Sequence, residues 1–153
     1  MIEDLIEYCV KGEVSCRVIS ENEKAKIKEH INERYLDKNR KSGRTLFDHL
    51  KISESVSADA ADSWQWLRSF FKGKKAIVFF RYDEEQYVEL YDSSFFFDFY
   101  DDYAAVEFYM IAQDGEYLCG YNHSHCIFAM GTAADWLEKN EQYRKYYGYD
   151  MMV

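Results

Sequence analysis

Two histidines and a cysteine lie close together in the segment of this chain that most resembles a reactive or metal-binding site. His123, His125 and Cys126 fall within four residues, and Cys119 precedes them. In an extended strand His123 and His125 would share a face, and an acidic residue could complete a zinc-type site. A histidine beside Cys126 could also serve as the base for a thiol nucleophile. This segment supports the hypothesis of a small metal-dependent enzyme.

The surroundings of this segment favour a structural turn instead. Asn122, His123 and Ser124 have the composition of a tight turn, which would break the face that the two histidines need to share. The other two histidines, His30 and His49, lie in predicted helices. The sequence has no glycine-rich phosphate loop, GxSxG or HExxH motif. We therefore predict no catalytic residue, no metal ligand and no cofactor, and keep the enzyme as an alternative.

The stretch from Tyr82 to Glu138 gives the strongest functional signal, because it holds 13 acidic residues and neither Lys nor Arg. The whole chain carries a formal charge of −9, so the other 96 residues together carry +4. Such segregation predicts an acidic surface that attracts and orients a basic partner. Tyrosines among the acids suit a protein interface. The predicted partner-binding residues are Asp83, Glu84, Glu85, Asp98, Tyr100, Asp101, Asp102 and Tyr103.

The overall charge and the N-terminal sequence exclude several other classes of protein. A net charge of −9 argues against binding to nucleic acid or to a membrane surface, since both require Lys and Arg. Acids follow Met1-Ile2, unlike the basic start of a signal peptide, and no apolar window reaches the ~18 residues of a membrane span. The four cysteines lack CxxC spacing. These features predict a cytoplasmic protein with reduced thiols.

Apolar spacing and capping residues predict helices in the N-terminal half. Ile2, Leu5, Ile6 and Cys9 lie on one side of a helix over 2–11. Ser20-Glu21-Asn22-Glu23 is a capping box that predicts a helix over 21–38. Other predictions for this half are a short extended segment around 14–18, a helix start at Thr45, a loop over 52–57 and a helix over 59–72 with a wide apolar face.

The remaining sequence predicts an antiparallel meander. Aromatic spacing within 93–103 favours a short helix over a strand, and Asp114-Gly115 is a hairpin turn. A helix over 133–147 closes the chain. The result is a single α+β domain over 1–153, with N-terminal and C-terminal helices packed on one face of the sheet. About five strands over 75–130 form that sheet, at 75–82, 86–92, 105–113, 116–122 and 125–130.

Short motifs in the C-terminal half carry a resemblance to known proteins. Glu107-Phe108-Tyr109-Met110-Ile111 is followed by Leu118-Cys119 and Asn122-His123, and residues 75–137 resemble an uncharacterised family of small bacterial proteins. More broadly, the chain resembles the immunity proteins of bacterial polymorphic toxin systems, which are acidic, cytosolic and rich in aromatic residues. The resemblance implies an α+β fold and a role in blocking a toxin, but it assigns no functional residues.

These observations predict a non-catalytic protein-binding domain. We expect an immunity protein that neutralises a basic toxin domain, such as a nuclease, by covering its phosphate-binding site with an acidic surface. Besides the small enzyme with His123, His125 and Cys126, one alternative remains. It is a small-molecule-binding regulatory module with an aromatic pocket between the helix over 59–72 and the sheet.

Overall fold

The computed structural model describes residues 1–39, 43, 45–103 and 106–149. These residues form an α+β fold with six α-helices and one antiparallel sheet of seven strands. Among them, no helix is both long and apolar enough to cross a bilayer. The helices are α1 (Ile2–Lys11), α2 (Glu21–Arg34), α3 (Leu67–Phe71), α4 (Phe96–Tyr100), α5 (Thr132–Lys139) and α6 (Glu141–Tyr147). The strands are β1 (Cys16–Val18), β2 (Val56–Ala58), β3 (Ala76–Phe79), β4 (Val88–Leu90), β5 (Phe108–Ile111), β6 (Tyr117–Tyr121) and β7 (Ile127–Gly131).

The strand order is β1-β4-β3-β5-β6-β7-β2, so one strand is added at each edge of the five predicted ones. The predicted meander was wrong at one place, because β5 pairs with β3 and not with β4. The five predicted strands are β3 to β7, so the antiparallel α+β prediction is confirmed and the count of about five strands was too low. β1 pairs with β4 through Arg17 opposite Glu89. β2 pairs with β7 through Ser57 opposite Phe128, in a segment predicted as a loop.

Side chains along β3 show that both faces of the sheet are buried. Ala76 and Val78 belong to one apolar cluster and Ile77 and Phe79 to another. Successive residues of a strand point to opposite faces, so each cluster marks one face. We call the face of Val78 the first face and the face of Phe79 the second face.

Helices cover both of these faces, so the prediction of helices on one face was wrong. The first face is covered by Leu5 of α1, Leu67 of α3, Phe97 of α4 and Leu137 of α5. The second face is covered by Ile27 and Ile31 of α2 and by Leu46 and Leu50 in the segment after it. The physical reason lies in the strands: β3 and β5 are apolar at every position, so each needs cover on two sides.

Most predicted helices are present with altered bounds. The capping box of Ser20 and Glu23 starts α2 as predicted. The predicted helix over 59–72 is a 3₁₀ turn at Ser63–Trp66 followed by the short α3. The C-terminal helix is divided at Asn140, whose side chain accepts a hydrogen bond from the Tyr143 N–H and caps α6. The predicted helix at Thr45 is a 3₁₀ turn over Leu46–His49.

The ambiguous segment 93–103 is helical, as predicted. A 3₁₀ turn at Ser93–Phe95 leads into α4, and a second 3₁₀ turn follows at Asp101–Tyr103. Asp92 accepts a hydrogen bond from the Ser94 N–H and so caps the start. This run crosses the first face from the end of β4 to the segment before β5.

Candidate functional site

The long acidic stretch is divided between the two ends of the sheet and does not form a single surface. β3 is antiparallel to both β4 and β5, so the loop from β3 to β4 and the approach to β5 lie at the same end. That end, which we call the acidic end, carries Asp83, Glu84, Glu85, Asp101, Asp102 and Glu107. Asp92, Asp114 and Glu116 lie at the opposite end. Glu89 is buried and paired with Arg17.

An open groove of about 1340 Å³ lies at the acidic end of the sheet. Its walls come from the start of α1, the segment after α2, the loop from β3 to β4 and the start of β5. Leu36, Tyr82 and Val106 contribute partly exposed apolar surface, while Glu84 and Glu107 bring carboxylates into it. The groove therefore combines apolar walls with acidic side chains from separate elements, as binding sites commonly do.

Glu107 is a largely enclosed carboxylate of the groove. Its side chain is only 15% exposed. The Tyr109 hydroxyl donates a hydrogen bond to Glu107 Oε1 and accepts one from the Phe47 N–H at 3.0 Å. Burial raises the pKa of Glu107 above its usual range, and repulsion from Asp48 adds to this, while the Tyr109 hydrogen bond and the nearby His123 partly oppose it. Glu107 is thus a carboxylate whose charge is incompletely compensated.

His123 lies between two carboxylates that come from different parts of the chain. Its Nδ1 is 3.7 Å from Glu107 Oε2, and its Nε2 is 3.9 Å from Asp48 Oδ1. Asp48 Oδ2 accepts hydrogen bonds from the Thr45 N–H and hydroxyl, both at 3.2 Å. This group was not predicted, because Asp48 is far from Glu107 in sequence and no local motif joins them.

The loop from β3 to β4 is fixed by a cation that bonds its backbone. Lys24 of α2 donates to the carbonyl oxygens of Glu84 at 3.4 Å and Glu85 at 2.7 Å. Burial raises the pKa of Glu84, while hydrogen bonds from the backbone of Phe80 and Arg81 and the charge of the amino terminus partly oppose it. The carboxylate of Glu84 therefore stays at the groove while its backbone is held by α2.

The eight predicted partner-binding residues differ in solvent exposure and in ion pairing. Asp101 and Asp102 are exposed on the 3₁₀ turn before β5. Asp83 is exposed but paired with Arg81 at 3.2 Å, and Asp98 is paired with Arg68 at 2.8 Å. These two ion pairs reduce the net charge that Asp83 and Asp98 offer to a partner.

The two tyrosines of the predicted set take part in the aromatic core. Tyr100 is fully buried and donates a hydrogen bond to the Val106 carbonyl at 2.5 Å, so its placement on a partner surface was wrong. Tyr103 is half-buried and stacks on Phe99 with ring centroids 4.7 Å apart. The helical spacing that places Phe96 and Phe99 in the core also includes Tyr100, which explains its burial.

The two histidines of the enzyme alternative contact different groups of the protein. His123 reaches Asp48 and Glu107 on the second face, whereas His125 Nδ1 lies 3.3 Å from the hydroxyl of Tyr121, which belongs to the first face. The predicted turn is present, and His125 has a φ of 62°. Within the described residues, no three His, Cys, Asp or Glu side chains are arranged to hold a metal ion.

The space between α3 and the sheet is filled by aromatic rings. Phe70 packs edge-on against Tyr117 with ring centroids 5.1 Å apart, and Phe71 lies 5.9 Å from Phe97. Trp64 and Leu67 are also buried here. These rings form core packing, in the place where the regulatory-module alternative expects a ligand pocket.

Comparison with protein-family models gave no match, and comparisons with curated proteins and with solved structures gave no significant match. The resemblance to immunity proteins stays a prediction. The evidence for a function therefore lies in the geometry of the acidic end.

Proposed function

We propose that this chain is a non-catalytic binding domain that neutralises a basic protein partner through the acidic end of its sheet, in the manner of an immunity protein against a toxin domain. The observation that supports this proposal is the meeting of exposed carboxylates with a groove. Glu84, Glu85 and Glu107 line the groove, and Asp101 and Asp102 are exposed on the turn before β5 at the same end of the sheet.

Electrostatics gives this arrangement a physical role. Like charges at one end of a protein create a potential that draws in a basic partner and orients it before contact. The groove then supplies the concave, partly apolar surface on which a bound partner gains contact area. A basic active site that binds phosphate has the opposite charge and is therefore electrostatically complementary to this end of the sheet.

A pair of charge reversals tests the proposal. The first double variant, D101K/D102K, reverses two exposed acids at the acidic end, and the matched variant E116K/D135K reverses two exposed acids near the start of α5. Both change the formal net charge by the same amount, so a difference in association rate between them reflects where the reversed acids lie. The ligands are purified basic domains encoded by genes beside that of this chain.

We expect D101K/D102K to slow association about tenfold or more at low salt, with a smaller effect at high salt where the charges are screened. E116K/D135K should leave association close to that of the parent protein. Equal effects of the two double variants, or binding that does not respond to salt, would overturn the proposal.

A further inference from the structure

We infer that the groove at the acidic end receives an arginine side chain of the basic partner, and that Glu107 anchors its guanidinium group. This inference rests on the proposed function, since it names the group that the partner inserts. The charges and the partly apolar lining of the groove indicate this occupant.

Carboxylates reach the groove from several separate elements, and they outnumber the cations among the lining residues that the structure describes. Besides Glu84 and Glu107, Glu3 of α1 and Asp37 after α2 line it. Among the described lining residues, the cationic side chains are Lys38 and Arg81, together with the amino terminus.

Two of these three cations already pair with exposed carboxylates. Arg81 pairs with Asp83 at 3.2 Å, and the amino terminus pairs with Asp4 at 3.3 Å. Lys38 is exposed at the end of the segment after α2. The described residues of the lining therefore keep an excess of negative charge.

An incoming cation gains the most favourable electrostatic interaction at Glu107. Within the described part of the chain, neither Glu107 nor Glu84 lies within ion-pair distance of a Lys or Arg side chain. The partners of Glu107 are the neutral hydroxyls of Tyr109 and Thr45 and the half-exposed His123, 3.7 Å away. A carboxylate that is largely removed from water and lacks a fixed cation binds a cation more strongly than an exposed one.

The surroundings favour a guanidinium over an ammonium group. Guanidinium is planar and weakly hydrated, so it enters a partly apolar groove at lower cost than the strongly hydrated ammonium of lysine. Its five N–H donors can bond Glu107 while also reaching a second acceptor on the groove wall. Leu36 and Val106, both partly exposed in the lining, supply apolar surface for the methylene stem of the same side chain.

The experiment titrates the full chain, labelled with ¹⁵N, with acetyl-arginine amide, acetyl-lysine amide and acetyl-citrulline amide. Citrulline has the shape of arginine without the charge. We expect saturable shifts of the Val106 and Glu107 amide signals with the arginine probe, weaker shifts with lysine and none that saturate with citrulline. E107Q should weaken arginine binding about tenfold or more, since it removes a charge-assisted hydrogen bond.

Matched variants control for folding and for general charge. D114N removes one exposed charge at the opposite end and should leave arginine binding unchanged. If the spectrum of E107Q shows loss of the fold, E84Q removes the other enclosed carboxylate of the groove and should also weaken binding. Equal binding of arginine and citrulline, shifts centred on Asp114 and Glu116, or unchanged affinity in a folded E107Q would each overturn the inference.

The two proposals fail in different ways. If arginine does not enter the groove but D101K/D102K still slows partner association, the groove inference is wrong and the proposed function stands. If arginine binds at Glu107 but D101K/D102K and E116K/D135K behave alike with the basic domains, the proposed function is wrong and the arginine site remains.

Discussion

Tyr109 donates a hydrogen bond to the carboxylate of Glu107, which lies two residues before it and immediately ahead of β5. The same hydroxyl accepts a hydrogen bond from the Phe47 N–H at 3.0 Å, so it connects β5 to the 3₁₀ turn that covers the second face. Burial and the adjacent Glu107 together raise the pKa of Tyr109. The tyrosine therefore remains a neutral donor, and the position of Glu107 depends on it.

Replacing Tyr109 with Phe should lower the free energy of unfolding by about 1–2 kcal/mol, because both the Phe47 N–H and Glu107 lose a partner in a largely buried place. Urea denaturation measures this loss. Y91F is the matched control, since Tyr91 is 41% exposed, and its effect should stay within about 0.5 kcal/mol. Equal losses in the two variants would show that the hydroxyl of Tyr109 has no special role.

Replacing Glu107 with Gln should make the protein relatively more stable as the pH rises. The folded-state pKa of Glu107 is raised by burial, so the folded protein holds its proton more tightly than the unfolded chain does. The stability linked to that proton is present below the unfolded pKa and is lost as the pH rises through the raised folded pKa. Gln carries no such proton, and Tyr109 can still donate to its side-chain oxygen.

Urea denaturation of E107Q and the parent protein across this pH range checks the prediction. The difference in free energy of unfolding should shift in favour of E107Q between the unfolded pKa, about 4.3, and neutral pH. A difference that stays constant would show that Glu107 ionises in the folded protein as it does in the unfolded chain. A gain in stability together with a loss of arginine binding is the pattern expected of a binding site.

Arg17 should protect the protein against acid through Glu23. The guanidinium group donates to both oxygens of Glu23, at 2.9 and 2.6 Å, and to the buried Glu89 at 3.0 Å. The Arg17 hydrogen bonds, followed by the backbone N–H of Ser20, lower the pKa of Glu23 to about 2. This contribution to stability is present above the unfolded pKa and is lost as the pH falls through the folded value.

The variant R17M should therefore show a weaker fall in stability than the parent protein between about pH 4.5 and about pH 2, as well as a lower stability at neutral pH. Urea midpoints across this range measure both effects. K11M serves as the control, because it removes the exposed pair of Lys11 and Glu7 and should change the midpoints little. If the stability of R17M fell with pH in parallel with that of the parent protein, the lowered pKa of Glu23 could not be attributed to Arg17.

Local signals account for the parts of the fold that the sequence predicted well. The Ser20 capping box and the aromatic spacing of 93–103 both act within a few residues, so they can be seen without knowledge of the fold. β2 could not be predicted in this way. Val56–Ala58 becomes a strand because it pairs with Ile127–Ala129, and nothing in its own Ser-rich sequence indicates that partner.

The candidate site was predicted only in part, because some of its contacts are local in sequence and others are tertiary. Charge segregation along the chain indicated Asp83, Glu84 and Glu85, which do line the groove. It also indicated Tyr100, although the spacing that made 93–103 a helix placed that ring in the core. The approach of Asp48 to His123 depends on how a turn on one side of the sheet meets the loop from β6 to β7, and this is a tertiary contact without a sequence signal.

Gly120 lies on β6 directly opposite Tyr109, and its lack of a side chain is what lets β5 and β6 pair closely there. A Cβ at this position would lie 2.1 Å from the Phe108 carbonyl oxygen and 3.1 Å from the Phe128 ring. We expect G120A to lower the free energy of unfolding by about 3 kcal/mol or more, because strand backbone cannot move aside as a flexible side chain can.

The control for G120A is G73A at a glycine with a different constraint. Gly73 has a φ of +68°, yet a Cβ there would meet no atom within 4 Å. Its replacement should cost about 1–2 kcal/mol through left-handed backbone strain alone. Urea denaturation of both variants separates the two causes, and a G120A protein as stable as G73A would mean that β5 and β6 can move apart. Because β5 carries Glu107 and Tyr109 to the groove, G120A should also weaken binding of acetyl-arginine amide, while G73A should not.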